Sequence, residues 1–310
     1  MAALLVGTLL AGLGIARMRR RGTARAAAWA LVVASVAAAE RLCAGQPAGF
    51  RMLALIGTLL YAMKAVVGVD GLDPGRPPLG PSRWLAFAAL WPGMRPAPFA
   101  RAFGPPLSGA RDLVKRGLAR LLLGLALVAA ARLAWTRTGS HLLATALALP
   151  GLSFILHFGI FNLAAGAWRH AGVDVHALFR APLLSRSLAE FWGRRWNLAF
   201  SEMTSAGIYR PVAALVGRSW GIAAAFLASG ILHELAISVP ARAGFGLPLI
   251  YFALQGTAVL VEGALEARET PVNGRGWIGR VWTLTWLALP LPILFHPPFL
   301  RAVVWPIAGM

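Results

Sequence analysis

The chain alternates between long apolar stretches and shorter segments that hold most of its charged residues. About 20 consecutive apolar residues form a helix long enough to span a bilayer. Stretches that cross or nearly cross a membrane occupy 1–16, 26–39, 52–69, 117–135, 141–166, 220–240, 247–266 and 281–296, with a few residues of error at each end. We therefore predict an all-α, polytopic membrane helix bundle of about eight transmembrane helices, with seven or nine as the alternatives.

Two of the segments between these stretches are long, and long connections are commonly functional. The first, 70–116, contains a short apolar piece, 84–91, which we expect to lie in the membrane interface or to re-enter the membrane. The second, 168–218, contains the sequence SLAEFWGRRWN at 187–197. Since no internal repeat or long linker divides the chain, we predict one domain over 1–310, with N-terminal helices over 1–166 and a second part over 168–310.

Composition and charge support a membrane protein. The chain is 58% apolar, only 13% charged, and carries a net charge of +19. In a soluble chain this charge would indicate nucleic-acid binding, but in a membrane chain Lys and Arg collect in cytoplasmic loops. With the N-terminus outside, 22 of the 30 Lys and Arg residues fall in inner segments and 5 in outer ones. We predict a multi-pass protein with both termini outside and no nucleic-acid partner, in the cytoplasmic membrane if the source is bacterial.

Several other features are excluded by the sequence. The apolar run 1–16 precedes its arginines, which is the wrong order for a cleaved signal peptide. A single cysteine, Cys43, excludes an internal disulfide framework and a cysteine-based zinc site. The pair His233–Glu234 begins like the zinc motif HExxH, but Ile237 occupies the place of the second histidine. We predict no metal site.

The segment 187–197 has the pattern of an amphipathic helix. Ser187 followed by Glu190 three residues later is typical of a capping box, in which each side chain accepts from a backbone amide of the other. A helix beginning there would align Glu190, Arg194, Asn197 and Ser201 on one polar stripe. The aromatic side chains of Trp192 and Trp196 would lie beside it. Two interpretations remain open: an aromatic anchor at the interface, or a surface on which Arg194 and Arg195 bind phosphates or carboxylates.

His233 and Glu234 lie inside the predicted helix 220–240. Ionisable groups at such a depth are costly, so a functional site is the first hypothesis, and a hydrogen bond between helices is the alternative. Histidine is suited to accepting a proton because its unperturbed pKa lies near 6.5.

Other polar residues within the predicted helices have plainer explanations. Lys64 is expected to extend its side chain toward the inner surface. His157 and Asn162 are expected to form hydrogen bonds between helices, and the alternative is that both line the same cavity as the other candidate residues. Glu262 and Glu266 are one turn apart and are expected to pair with Arg268 or another loop arginine.

The stretch PLLSRSLAEFWGRRWNLAFSEMTSAGIYRPV, 182–212, resembles the plant wax synthase-like branch of the membrane-bound O-acyltransferases, and SGILHEL at 229–235 resembles the family's second motif. A weaker similarity covers YFALQGTAVLVEGAL at 251–265, where Gln255 replaces a histidine that is frequent in the plant proteins. FHPPFLR at 295–301 resembles the family's C-terminal pattern. The likeness extends over roughly the last 130 residues, in order and spacing.

The resemblance implies roles for individual residues. His233 matches the family's intramembrane histidine, which implies a general base, and Asn197 matches the partner residue that helps to bind or polarise the acyl thioester. Arg194 and Arg195 match an arginine pair that implies contact with the phosphates of coenzyme A or a role in placing the helix. Trp192 and Trp196 are expected to shape the acyl channel or to pack at the interface. Glu190 and Glu234 are added as substrate-binding residues.

The function implied is acyl-CoA-dependent O-acyl transfer to a long-chain alcohol dissolved in the bilayer. Acyl-CoA is a co-substrate, and no resident cofactor is expected. One alternative is an O-acyltransferase with a sterol, glycan or small-molecule acceptor. The other is a transporter or scaffold, although a transporter is typically built from structural repeats, which the sequence does not show.

Overall fold

The structure, a computed structural model, describes residues 1–71, 77–101, 103–267 and 276–310. All regular elements in these ranges are helical, in agreement with the all-α prediction. The first six are α1 (Ala2–Ala16), α2 (Arg21–Cys43), α3 (Ala48–Asp70), α4 (Pro81–Leu90), α5 (Ala110–Thr138) and α6 (His141–His170). The others are α7 (188–195), α8 (198–216), α9 (Arg218–Ala241), α10 (Leu247–Ala267), α11 (Trp277–Leu294) and α12 (297–307).

Each of the eight predicted spans corresponds to one of these helices. Seven helices in the described ranges are long and apolar enough to cross a membrane: α2, α3, α5, α6, α9, α10 and α11. The eighth, α1, is apolar but has only 15 residues. The polytopic membrane bundle is therefore confirmed, with seven full-length spans and one short apolar helix.

The short apolar piece of the first long segment forms α4, which is buried against α1 and α3. Trp84 and Phe87 on this helix are 1% and 0% exposed. One face of the helix is therefore covered by protein, whereas Leu85 and Leu90 on it are exposed.

Lys64 on α3 fixes the end of α4, so the prediction that its side chain reaches the membrane surface was wrong. Its fully buried ammonium donates to the carbonyl oxygens of Phe87 at 3.1 Å and Trp91 at 2.7 Å, and also to that of Gly93. These carbonyls lie at the C-terminal end of α4, where the backbone has no partner within the helix and favours a cation. Three carbonyls replace the water that the ammonium would otherwise need.

Helices α5 and α6 form a hairpin that is packed closely through glycines. A Cβ atom at Gly124 would lie 2.7 Å from the carbonyl oxygen of Gly151, and one at Gly166 would lie 2.6 Å from Val114 Cγ2. Small residues allow helix backbones to approach in this way. The hairpin is therefore a tightly packed pair, and the end that holds Arg116 and Asn162 lines a cavity together with Arg195 of the 187–197 segment.

Several helices contain a turn with π-type hydrogen bonding. Such turns occur at Phe154–Ile160 in α6, Phe191–Arg195 in α7, Ser205–Tyr209 in α8, Glu234–Ser238 in α9 and Leu300–Val304 in α12. π-type turns are rare and occur frequently at functional sites. Two of these turns contain His157 and Trp192, and a third directly follows His233.

Candidate active site

The 187–197 segment begins with the predicted N-cap. Ser187 Oγ accepts from the Glu190 amide at 2.9 Å, as expected. The return half of the capping box is displaced by one residue, because Glu190 Oε2 accepts from the Arg186 amide at 2.8 Å. The amides of Leu188 and Ala189 are taken instead by Glu262, at 2.8 and 3.1 Å.

The predicted continuous stripe on one long helix was wrong. Helix α7 ends at Arg195, and Asn197 adopts a left-handed backbone with φ 43° and ψ 63°. Asn197 then caps α8, because its Oδ1 accepts from the Phe200 amide at 3.3 Å. Asparagine is among the few non-glycine residues that adopt this backbone readily, and it is also a favoured cap. The break separates Asn197 from the stripe on which Glu190 and Arg194 were placed.

Glu190 and Arg195 form a contact within α7. Arg195 Nε donates to Glu190 Oε1 at 2.7 Å, and Arg195 also donates to the carbonyl oxygens of Arg180 and Ala181. Burial opposes the charged form of Glu190, but the Arg186 amide and the Arg195 guanidinium outweigh it and lower the pKa of the Glu190 carboxyl. Glu190 therefore orients Arg195, and its Oε1 is bonded to that guanidinium. Arg194 differs from Arg195 in being exposed.

Glu262 is a residue whose importance the sequence did not reveal. It is 2% exposed, and its carboxylate accepts from two amides of α7 and from Trp282 Nε1 at 2.9 Å. A carboxylate at a helix N-terminus satisfies otherwise unpaired amides and complements the helix dipole. The expected partner Arg268 lies outside the described residues. Glu266, one turn further on, is exposed.

Trp192 is fixed by Gln255, the residue that stands in place of the plant histidine. Its Nε1 donates to Gln255 Oε1 at 3.2 Å, and Gln255 Nε2 donates to the carbonyl oxygen of Trp286 at 2.6 Å. Gln255 is fully buried. The glutamine therefore connects α7 with α10 and α11 as both acceptor and donor.

Trp196 belongs to an aromatic cluster with Phe179, Phe191 and His157. Its ring centroid lies 4.9 Å from that of Phe179 and 5.6 Å from that of His157. The hydrogen bond of His157 is to Ser153 Oγ at 3.0 Å, one turn earlier in the same helix, so the prediction of a bond between helices was wrong. This cluster joins the motif to α6.

His233 lies near the middle of α9, directly before a π-type turn. Its Nδ1 is 2.7 Å from the carbonyl oxygen of Ser229. Since a carbonyl oxygen only accepts, Nδ1 carries the proton and Nε2 of the neutral ring is an acceptor. The side chain is half-buried, and the ring packs 4.2 Å from Phe252 and 5.7 Å from Phe200 between centroids. The imidazole ring is therefore held in one tautomer.

Glu234 points toward the start of the next helix. Its Oε1 accepts from the amides of Gly246 at 2.9 Å and Leu249 at 3.1 Å, at the beginning of α10. Its Oε2 is buried without a hydrogen-bond partner in the described ranges. Its contacts position α10, and the role in substrate binding that was assigned to it stays a prediction.

Helix α10 brings the two motifs together. Phe252 on this helix lies against His233 on one side and, at 5.6 Å, against Trp192 on the other. Phe200, in the helix that Asn197 caps, also contacts His233. The sequence-predicted residues Trp192, Asn197 and His233 are therefore linked through two phenylalanines.

Two cavities flank this arrangement. An apolar groove of about 640 Å³ runs along α11 and is lined by aromatic and aliphatic residues such as Trp282, Trp286 and Leu254. A polar cavity of about 300 Å³ lies between the α5–α6 hairpin and residues 177–181, and Arg195 lines it. Arg194 does not line this cavity. In the described residues, no group of three or more His, Cys, Asp and Glu side chains is arranged to hold a metal ion.

Comparison with known proteins shows that part of the chain matches a family model. Residues 175–254 match the model of the "Membrane bound O-acyl transferase family", a range that includes Trp192, Asn197 and His233. Probable long-chain-alcohol O-fatty-acyltransferase 9 of Arabidopsis thaliana is 32% identical over 145 residues, which cover 42% of this chain and 42% of that protein.

The names of two further relatives give different acceptors of the acyl group. The long-chain-alcohol O-fatty-acyltransferase of Simmondsia chinensis is 34% identical, over 38% of this chain and 39% of its own length. Acyl-CoA–sterol O-acyltransferase 1 of Arabidopsis thaliana is 32% identical, over 48% of this chain and 46% of its own length. The chain thus spans less than half the length of each of these relatives. The segment 175–254 is therefore similar to the membrane-bound O-acyltransferase family, and the chain resembles the plant wax synthase-like branch of that family.

Proposed function

We propose that the protein is an acyl-CoA-dependent O-acyltransferase that esterifies a lipophilic long-chain alcohol. The observation that carries this proposal is the geometry of His233, whose Nδ1 is bonded to the Ser229 carbonyl while Nε2 remains an acceptor. The ring lies beside Phe200 of the 182–212 stretch and Phe252 of the 251–265 stretch. Within the membrane, a fixed neutral imidazole is suited to taking a proton from a hydroxyl group.

In the proposed reaction, the hydroxyl oxygen of the alcohol attacks the thioester carbonyl carbon, and its proton passes to His233 Nε2. The tetrahedral oxyanion then collapses, the carbon–sulfur bond breaks, and the thiolate of coenzyme A takes the proton from His233. The products are the ester and free coenzyme A, and His233 returns to its initial state. General-base assistance of this kind contributes about 10²–10⁴-fold to the rate.

Asn197 supplies the second group of the proposed mechanism. Its Oδ1 is occupied by the Phe200 amide. Its Nδ2 has no hydrogen-bond partner in the described part of the chain, so it is available to donate to the thioester carbonyl oxygen. A donor placed where charge develops in the transition state lowers the barrier.

The apolar groove along α11 supports an acceptor that arrives from the bilayer. Trp286 lines the groove, and its carbonyl oxygen accepts from Gln255, which also binds Trp192. Pockets of 300–1,000 Å³ with apolar walls are typical small-molecule sites. The groove at about 640 Å³ is therefore suited to the hydrocarbon part of an alcohol next to the motif.

A sterol acceptor is the second candidate, because a relative of similar identity is named as an acyl-CoA–sterol O-acyltransferase. The test supplies membranes containing the protein with labelled acyl-CoA and, in turn, fatty alcohols, sterols, diacylglycerol and sugars. Esters of fatty alcohols that disappear in His233→Ala support the proposal, and sterol esters alone support the second candidate. Folded protein that transfers no acyl group to any acceptor contradicts both.

A further inference from the structure

The polar cavity beside the candidate active site is lined by four arginines from separate parts of the chain. Arg116 and Arg120 come from α5, Arg180 from the segment after α6, and Arg195 from α7. Arg116 and Arg120 lie outside the segment that matches the family model. Four guanidinium groups thus meet around about 300 Å³ of space.

Most of this positive charge is not neutralised by protein. Arg195 pairs with Glu190, but Arg116, Arg120 and Arg180 have no carboxylate partner among the described residues. Arg116 Nε and Arg180 Nε donate only to nearby backbone carbonyls, and the Arg120 guanidinium lies 5.7 Å from the Phe158 ring. Like charges at i and i+4, such as Arg116 and Arg120, destabilise a helix. An anion in the cavity would remove this cost.

Asn162 provides a second, independent sign of a ligand. Its side chain lines the same cavity and is 1% exposed, and its Oδ1 is buried without a hydrogen-bond partner in the described ranges. Unsatisfied buried polar atoms are rare and costly in folded proteins. Because the amide oxygen and nitrogen can exchange places by a flip, the same side chain can donate to a bound anion.

The walls of the cavity are rigid where the arginines of α5 emerge. A Cβ at Gly117, next to Arg116, would lie 3.0 Å from both Leu163 Cγ and the Leu163 amide nitrogen. On the opposite wall, Arg195 is held by Glu190 and by the carbonyl oxygen of Arg180. A preorganised site loses less entropy on binding than a flexible one.

We propose that this cavity, formed by Arg116, Arg120, Asn162, Arg180 and Arg195, is a binding site for a phosphate group. Guanidinium groups match phosphate oxygens with paired donors, and three uncompensated charges suit a dianionic or diphosphate group. The site extends the motif to α5 and so involves the N-terminal helices in ligand binding. The cavity lies at the helix ends that the charge asymmetry predicts to be cytoplasmic.

Two sources offer this phosphate chemistry: coenzyme A, where the inference rests on the proposed function, and an anionic phospholipid headgroup. The experiment measures binding to the full-length protein in nanodiscs of neutral phosphatidylcholine. The probes are coenzyme A, pantetheine, which lacks the phosphates, and phosphatidic acid added to the nanodisc. Variants Arg120→Gln and Arg180→Gln remove charge from two separate walls. Arg111→Gln is the matched control, because Arg111 is exposed on the same end of α5 and does not line the cavity.

Loss of a charged hydrogen bond typically weakens binding by about tenfold to a hundredfold. If Arg120→Gln and Arg180→Gln weaken coenzyme A by this factor while Arg111→Gln and the affinity for pantetheine do not change, the phosphate belongs to the acyl donor. If the same variants weaken only phosphatidic acid, the phosphate belongs to a lipid. If both variants bind every probe like Arg111→Gln, the site is refuted.

Binding is measured without turnover, so failure of acyl transfer and failure of this site are distinguishable. Arg120→Lys provides a check on folding, because it keeps the positive charge and loses the forked donors. We expect its affinity to lie between those of the native protein and Arg120→Gln. Equal weakening by Arg120→Gln and Arg111→Gln, with native affinity in Arg120→Lys, would indicate a general effect of charge and would overturn the proposal.

Discussion

His233 and the 187–197 segment are positioned in opposite ways. His233 is oriented by the carbonyl oxygen of Ser229, four residues earlier in its own helix. The 187–197 segment is held by Gln255 and Glu262, which lie more than sixty residues further along the chain. One half of the site depends on local backbone geometry, and the other depends on the packing of α10.

We therefore expect His233 to act in the reaction, and Gln255 and Glu262 to position the 187–197 segment. Replacing His233 removes one hydrogen bond within a helix and two ring contacts, so we expect the fold to be retained and the reaction to be lost. Replacing a residue that holds α7 exposes backbone amides that depend on it, so we expect stability to fall. Measuring the reaction rate and the stability of each variant separately tests this distinction.

The largest effect is expected for His233→Ala. Loss of the general base should lower the rate of ester formation by about 10²–10⁴-fold, because the alcohol is then not deprotonated. The melting temperature should fall only modestly, since the bond to Ser229 and the ring contacts with Phe200 and Phe252 are lost but no charged partner is left unpaired. The measurement is transfer of labelled acyl groups, together with thermal unfolding of the purified protein. His170→Ala, at the exposed end of α6, is the control, and transfer at the native rate by His233→Ala would exclude His233 as the base.

The sequence predicts the membrane helices well because their apolar length is a local property. It also predicts the Ser187 cap, whose donor and acceptor are three residues apart. The helix break at Asn197 was missed because amphipathic spacing continues through it. The available signal was Asn197 itself, since asparagine favours both left-handed backbone and helix N-caps.

The contacts of Lys64 and Glu262 were missed for a different reason. Their partners are backbone groups that become neighbours only when distant helices pack, as Glu262 shows with an amide 74 residues away. A charged residue inside an apolar pattern indicates that some partner exists. It does not identify that partner, so Lys64 and Glu262 were given surface roles. The polar cavity was also not predicted, because Arg120 and Arg180 come together only through the packing of α5 against residues 177–181.

The next effect is expected at Asn197, where two substitutions distinguish a cap from a catalytic donor. Asn197→Asp keeps an oxygen for the Phe200 amide and replaces the Nδ2 donor. We expect a stable protein whose rate of transfer falls by about 10²–10³-fold, as for the loss of one oxyanion donor. Asn197→Gly tolerates the left-handed backbone but lacks both groups, and it should be equally inactive. Native activity in either variant would reduce Asn197 to a structural cap.

Glu262→Leu tests the long-range half of the comparison. It leaves the buried Leu188 amide unpaired, which costs about 1–3 kcal/mol of stability. Thermal unfolding should show a lower melting temperature, and Glu262→Gln should fall between this variant and the native protein. Glu266→Leu, on an exposed position one turn away, is the matched control. Equal melting temperatures for the two leucine variants would mean that Glu262 does not hold α7.

The smallest effect concerns Glu190, whose contacts are local to α7. Because the Arg186 amide and Arg195 lower the pKa of Glu190 in the folded protein, its contribution to stability is present above the unfolded pKa of about 4.3. It is lost as the pH falls through the lower, folded pKa. The ion pair is partly exposed, so the contribution is about 1 kcal/mol or less. Thermal unfolding of the native protein and Glu190→Gln should differ at pH 7 and converge as the pH falls below 4. A difference in melting temperature that persists in acid would assign the effect to packing. A larger loss of melting temperature in Glu190→Gln than in Glu262→Leu would mean that the local contact stabilises the protein more than the long-range one.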